Sequence, residues 1–323
     1  MHAPSRRRLL RDACRVFPSL TLTLLLSCTS SPTSPLEISK LDLGAAYDVF
    51  VGGETAYVSN NQGIAILDIG DLQHPRRTGL VSENSLAGFR VSGDTLLTFG
   101  NGVSIYSLQD PRDPRLLASY SSGGFLISGQ IRGHHAYLAH FGGGLEVVDF
   151  SDPASPLSVG FVSSSGQVND MVLVGNTAYA ANSSVGLEVF DIRDPTAPIR
   201  VGYVNGTEGA WDIHINQDRL YLGCHRYGAR VVDISDPLDP HVVGNFNNGG
   251  EVYGVQSVGS LLYTVDLQEG VEVLDVSSPT NPTLVMRDRH YHPHDLYSDG
   301  MYLYLADQDE NFVVLPMQLE EVP

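Results

Sequence analysis

Cysteine, basic residues and long apolar runs are all scarce in this chain, and each scarcity excludes something. The three cysteines, Cys14, Cys28 and Cys224, make no disulfide framework. Lysine and arginine number 19 against 37 aspartates and glutamates, a formal net charge of −18. Nucleic acid and anionic membrane surfaces repel such a protein, so neither is expected as a partner. The apolar run "FPSLTLTLLLSC" is too brief to span a bilayer as a stable helix. No stretch sets apolar positions at convincing helical spacing. Ser/His/Asp motifs, phosphate loops and dinucleotide fingerprints are also missing at useful spacing. Glycine and proline, by contrast, are plentiful at 33 and 18 in 323 residues, a length that supports a large core in one or two domains.

The N-terminal segment, residues 1–27, reads as an export signal, with basic "SRRRLLR" ahead of the apolar run. Leu25-Leu26-Ser27-Cys28 resembles the lipobox of bacterial lipoproteins, which implies that Cys28 becomes the lipidated first residue of the mature chain. A secretory signal with an incidental cysteine is the plainer alternative. Ser5 to Arg11 also resembles a twin-arginine export motif. Residues 28–34 then form a Ser/Thr/Pro tether with nothing to bury. The expected location is the cell envelope, with a lipid anchor as the sole membrane contact and the protein facing periplasm or exterior.

Residues 35–323 carry a repeat. "GLEVVDFSDPASP" at 144–156 returns as "GLEVFDIRDPTAP" at 186–198 and as "ARVVDISDPLDP" at 229–240. The Asp closing each apolar run falls at Asp68, Asp149, Asp191, Asp233 and Asp275, with Ser107 and Leu315 in the same slot of degenerate copies. The intervals are 39, 42, 42, 42, 42 and 40 residues. A period near 40 means a stacked supersecondary unit. Here the unit is β. In the fourth copy "DMVLVG", "TAYAAN", "GLEVFDI" and "PIRVGYV" are short, rich in Val, Ile, Tyr and small residues, and bounded by turn formers. Seven units of four strands predict an all-β, seven-bladed β-propeller. The first Asp is expected to accept backbone N–H groups of its turn, and Asp-Pro to pre-set that turn. The seventh copy stops after its third strand, while Pro35-Leu36-Glu37-Ile38 matches the entry to an outer strand. The ring should close with one N-terminal and three C-terminal strands in one blade.

The phrases "LEVVDFSDPASP", "LEVFDIRDPTAP", "RVVDISDPLDP" and "VEVLDVSSPTNP", with "AYVSN", "AYLAH" and "AYAAN" upstream, resemble the LVIVD-repeat β-propellers of bacteria and archaea. The resemblance implies an extracytoplasmic propeller. It implies no reaction and no catalytic residues, since propellers host enzymes and scaffolds alike.

Function in a propeller sits on one face and around the axial channel. The entries to the innermost strands give a ring of Asp48, Gly88, Gly129, Asp170, Asp212, Gly254 and Asp295. The ends of the second strands give Asn60, Gly100, His140, Asn182, Cys224, Asp266 and Asp307 on the same face. Tyr47, Trp211, Tyr253 and His294 precede members of the first ring, and His225 and Arg226 lie in a neighbouring loop. Two readings of the four aspartates compete: bonds to backbone N–H groups at strand starts, or an axial divalent cation. "HYHPHD" invites a metal too, with His140, His292 and Asp295 as candidates, but no accompanying zinc spacing supports it. No cofactor is therefore expected beyond that cation. The expected function is a binding or protein-interaction scaffold for a protein, peptide or glycan. It would use Asp48, Asp170, Trp211, Asp212, His225, Arg226, Tyr253, His294 and Asp295. The alternative is a propeller hydrolase or lactonase working through a central divalent cation.

Overall fold

The computed structural model describes residues 38–317 except 84, 85, 238, 248, 267, 308 and 310. The segment read as an export signal, Cys28 and the segment read as a tether lie outside the described residues. Within them, twenty-eight strands form seven four-stranded antiparallel sheets, the seven-bladed propeller that the period predicts. Blades one to six occupy residues 46–82, 88–121, 126–163, 168–204, 212–246 and 252–288, each with its strands in chain order from the axis outward. The seventh blade combines Pro293–Ser298, Tyr302–Asp307 and Asn311–Pro316 with Ser39–Leu41 as its outermost strand. The ring thus closes with one N-terminal and three C-terminal strands, as the sequence requires.

The core is divided into seven apolar clusters, one between each pair of adjacent blades. Strand alternation makes this division. In Thr177–Asn182, Ala178 and Ala180 face the third blade, whereas Tyr179 and Ala181 face the fifth. Both faces of a middle strand are therefore buried, and its sequence is apolar throughout rather than alternating. The second-strand tyrosine, after Ala in Tyr57, Tyr137 and Tyr179 and after Leu in Tyr221, Tyr263 and Tyr304, is buried against the following blade in all six copies.

The repeated turn has two jobs. Locally, the first Asp accepts a backbone N–H two residues on, as Asp149 does from Ser151 at 2.7 Å and Asp275 from Ser277 at 2.7 Å. The Asp of Asp-Pro does the same, as Asp152 from Ala154 at 3.0 Å. Between blades, the turn rests on the outer strand of the blade before. A Cβ on Gly160 would meet the Pro195 carbonyl and come within 2.9 Å of the Pro198 ring, and one on Gly244 would strike the Pro279 carbonyl. Glycine is needed at both because another backbone occupies the space. Tyr57 adds a bond across the first such seam, donating to the Pro111 carbonyl at 3.3 Å. Blades one to six each show a register shift between third and fourth strands one residue before the glycine position. Such bulges twist an exposed edge away from further pairing.

Candidate functional site at the channel mouth

The site is built on the entries to the seven innermost strands. Aligning each first strand through its partner in the second gives the ring Asp48, Gly88, Ser128, Asp170, Asp212, Gly254 and Asp295. Sequence reading placed Gly129 in the third blade, and this is corrected. Gly129 pairs with Leu138, whereas Ser128 pairs with Ala139 as Asp170 pairs with Ala181, so Ser128 takes the ring position.

Three of the four aspartates bond to the next blade rather than to their own turn. Asp295 accepts the Val49 N–H at 3.0 Å, Asp212 accepts the Val255 N–H at 2.7 Å, and Asp48 accepts the Phe89 N–H. The fourth, Asp170, accepts Ser128 Oγ and the Arg90 guanidinium, both at 2.5 Å. Asp48, Asp212 and Asp295 thus bond backbone N–H groups supplied across the blade seams, whereas Asp170 bonds side chains. Arg90 stands two residues inside the ring, where the other blades carry Phe50, Gln130, Val172, His214, Gln256 and Tyr297.

One guanidinium does not neutralise four carboxylates. Burial and the neighbouring Asp48 charge push Asp295 up to about 8. Burial raises Asp48 to about 6 against the pull of the Phe89 N–H and Arg90. Asp212 is held well above the usual carboxylate range by burial and by the charges of Asp170 and Asp295. Burial and the Arg90 charge hold His214 down to about 4. Its Nδ1 accepts the Ser257 N–H at 3.2 Å, which assigns the ring proton to Nε2.

A cavity of about 570 Å³ runs along this channel, and its wall joins the four aspartates and Arg90 to Trp211, Tyr253 and His294. Trp211 meets Tyr253 edge-on at 5.5 Å, and Tyr253 meets His225 at 4.8 Å, with a 2.5 Å bond from the phenol to Nε2. Glu251 adds a carboxylate 3.6 Å from the same imidazole nitrogen. Tyr47 and His294 pair at 5.4 Å beside the opposite arc of aspartates. Trp211 is 38% exposed and Tyr47 39%, so both rings remain open to a partner. His225 reaches this group only through Tyr253. Arg226 instead lies over the neighbouring Tyr227 ring at 5.1 Å and takes no part in the cavity wall.

The second-strand ends do not form a second ligand ring. Asn60, Asn182, Asp266 and Asp307 use their oxygens to accept N–H groups of the loops that follow them, which fixes those loops. Cys224 is fully buried, and burial pushes its thiol up to about 12, which leaves it protonated and inert. His140 pairs with Glu146 at 2.8 Å inside the third blade, while His292 is exposed and gives its backbone N–H to Asp307 at 2.7 Å. His140, His292 and Asp295 are therefore not brought together. Among the described residues no three His, Cys, Asp or Glu side chains are grouped to hold a metal ion.

Sequence reasoning missed Arg90, His214 and a set of buried glutamates. Glu146, Glu188 and Glu272 occupy one register position of the third strand in blades three, four and six. Their signal was present in "LEV", "LEV" and "VEV": a charge in the middle of an apolar strand with both faces covered.

Comparison with known proteins places the fold and the repeat. A search of curated proteins returns no match. Among solved structures, U3-55K superposes with a TM-score of 0.71 at 11% identity over 86% of this chain and 97% of its own. The Cps50 (Swd1) β-propeller domain of Myceliophteria thermophila gives 0.70 at 13% identity, over 88% and 100%. The computationally designed Ika8 protein gives 0.64 at 10%, over 87% and 99%. At such identities the likeness is one of fold. The LVIVD repeat profile matches residues 43–82, 130–163, 165–206, 209–248, 249–287 and 294–315. With its repeats found in six of seven blades and covering most of the sequence, the chain belongs to the LVIVD-repeat family.

Proposed function

We propose that this propeller is a binding module of the cell envelope. On this reading it is tethered by a lipid on Cys28 and captures a protein, peptide or glycan at its channel mouth. One observation carries the reading: a cavity of about 570 Å³ whose acidic floor is bordered by the partly exposed rings of Trp211, Tyr253 and His294. Exposed aromatics around a concave polar site are the residues that dominate binding energy in interfaces. The rigid wheel serves this role by holding varied loops, such as "NSSVG", "CHRYG" and "DLQEG", in fixed relation to one axis. The Asp-Pro turns of blades two to five lie at the far end of those blades and are spent on packing blade to blade.

The test is capture of a partner from envelope extracts by the intact protein. Trp211→Ala with Tyr253→Ala should abolish capture while the melting temperature stays close to that of the parent. Capture that survives this pair but fails when the Asp-Pro turns are altered would assign the opposite face. The anchor is tested separately by intact-mass measurement of membrane-extracted protein. An acylated N-terminal Cys28 is expected, and an unmodified cysteine or cleavage elsewhere removes that part of the reading.

A further inference from the structure

A second cavity, of about 260 Å³, lies in blade two, and its wall differs in an ordered way from the equivalent positions of the other blades. In blade three the third-strand Glu146 is met by Ser122 from the preceding connection at 3.3 Å and by His140 at 2.8 Å. In blade four Glu188 accepts Ser164 from the preceding connection and is paired with Arg200 at 3.2 Å. In blade six Glu272 sits opposite Arg287, 2.7 Å from its guanidinium. In blades four and six the slot thus holds a carboxylate and an arginine from the chain itself, and in blade three a carboxylate and an imidazole.

Blade two exchanges the roles. Ser104 takes the glutamate register position, and the carboxylate comes from the connection as Glu83. Glu83 Oε1 accepts Thr98 Oγ1 at 3.0 Å and the Tyr106 hydroxyl at 2.6 Å. No cation accompanies it among the described residues. Gly100 stands where blade three has His140, and Ser119 stands where blade six has Arg287. The space of the missing cationic side chain is the cavity, walled by Glu83, Thr98, Gly100, Ser104, Ser119 and Tyr120. Glu83 and Ser104 are half-buried and Ser119 is exposed, so the slot opens to solvent.

We propose that this slot is a receptor for a guanidinium group supplied from outside, as on an arginine side chain of a bound peptide. A carboxylate already oriented by two hydroxyl donors presents its remaining lone pairs to the cavity. Ser104 and Ser119 add hydroxyl oxygens suited to the planar fork of N–H donors, while the Tyr120 hydroxyl is given to Glu146 of the next blade. This site is separate from the channel mouth, and its failure would leave the channel reading untouched.

The probe is methylguanidinium, titrated into the full mature protein at constant ionic strength and followed by NMR. Saturable shifts are expected at Thr98, Ser104 and Ser119, with a dissociation constant on the order of millimolar for one charge-assisted pair. Glu83→Gln should remove the response. Ser119→Arg should supply the cation internally, as Arg287 does in blade six, raising the melting temperature and blocking the probe. If Glu83→Gln does not fold, Ser119→Arg decides alone. Absence of saturable shifts in blade two, an undiminished response in either variant, or equal binding of butylammonium overturns the assignment.

Discussion

Asp295, at the entry to the innermost strand of the seventh blade, accepts the backbone N–H of Val49 in the first blade at 3.0 Å, across 246 residues of sequence. That bond spans the seam where the ring closes. Beside it, Val49, Val58 and Leu67 of blade one share an apolar cluster with Tyr304, Phe312 and Val314 of blade seven. The closure is therefore made twice, by a polar bond at the axis and by packing behind it.

Its outer rim supplies the first prediction. Ser39–Leu41 pairs with Phe312–Val314, so removal of residues 35–44 leaves a long unpaired edge on blade seven. Calorimetry and size-exclusion chromatography of the truncated protein should show a large fall in melting temperature and self-association. A monomeric truncation of parent stability would show that this strand does not hold the ring.

The aspartate ring predicts an unusual pH dependence. Asp48, Asp212 and Asp295 have raised folded-state values, so between about pH 4 and about pH 8 these carboxylates bind more protons in the folded protein than in the unfolded chain. Their contribution is complete below the unfolded carboxylate value near 4 and is lost as pH rises through the folded values. His214, held down to about 4, opposes them at pH 5, so urea denaturation is compared between the parent and Asp295→Asn, which isolates one carboxylate. Asp295→Asn keeps an acceptor for the Val49 N–H while removing the charge. It should raise stability at pH 8 on the order of 1 kcal/mol, discounted because the channel is open to water, and leave pH 5 nearly unchanged. Equal effects at both pH values would contradict the charge argument.

Arg90 predicts the opposite sign. Arg90→Met removes the guanidinium from Asp170 and from the field acting on Asp48 and Asp212. A loss of about 2 kcal/mol is expected at pH 8, from a partly buried pair deprived of one member. The loss should shrink at pH 5, where the freed carboxylates take up protons. A variant as stable as the parent at pH 8 would show that the pair contributes nothing.

The blade seams predict a contrast between two glycines of equivalent position. Gly244→Ala drives a methyl group into the Pro279 carbonyl and should cost about 1–3 kcal/mol. Gly202 has no described atom within 4 Å of its would-be Cβ, so Gly202→Ala should be neutral or slightly stabilising. Matched denaturation curves check this, and similar losses at both sites would remove the idea that the turn rests on the glycine.

Much of this architecture is legible in one dimension. Spacing of the Asp slots counts the blades, and turn chemistry places Asp-Pro. The incomplete seventh copy shows where the N-terminal strand must go. These features are local or strictly periodic, and so the sequence carries them directly. The aspartates could be ordered around the axis for the same reason, as could Trp211, Tyr253 and His294 at the mouth.

What only the tertiary structure decided depends on which residue another blade presents. Ser128, which takes the ring position in blade three, gives its hydroxyl to Asp170 of the next blade. Arg90 finds Asp170 eighty residues away, two blades on, and no local pattern marks that pairing. His140, read as a candidate metal ligand, is committed to Glu146, a glutamate that looked like one more strand residue. Charges share partners through space, and a repeat folded into a ring sets residues far apart in sequence side by side at the axis. Periodicity in the sequence thus determined the wheel, while the meeting of side chains across its seams determined the chemistry at its centre.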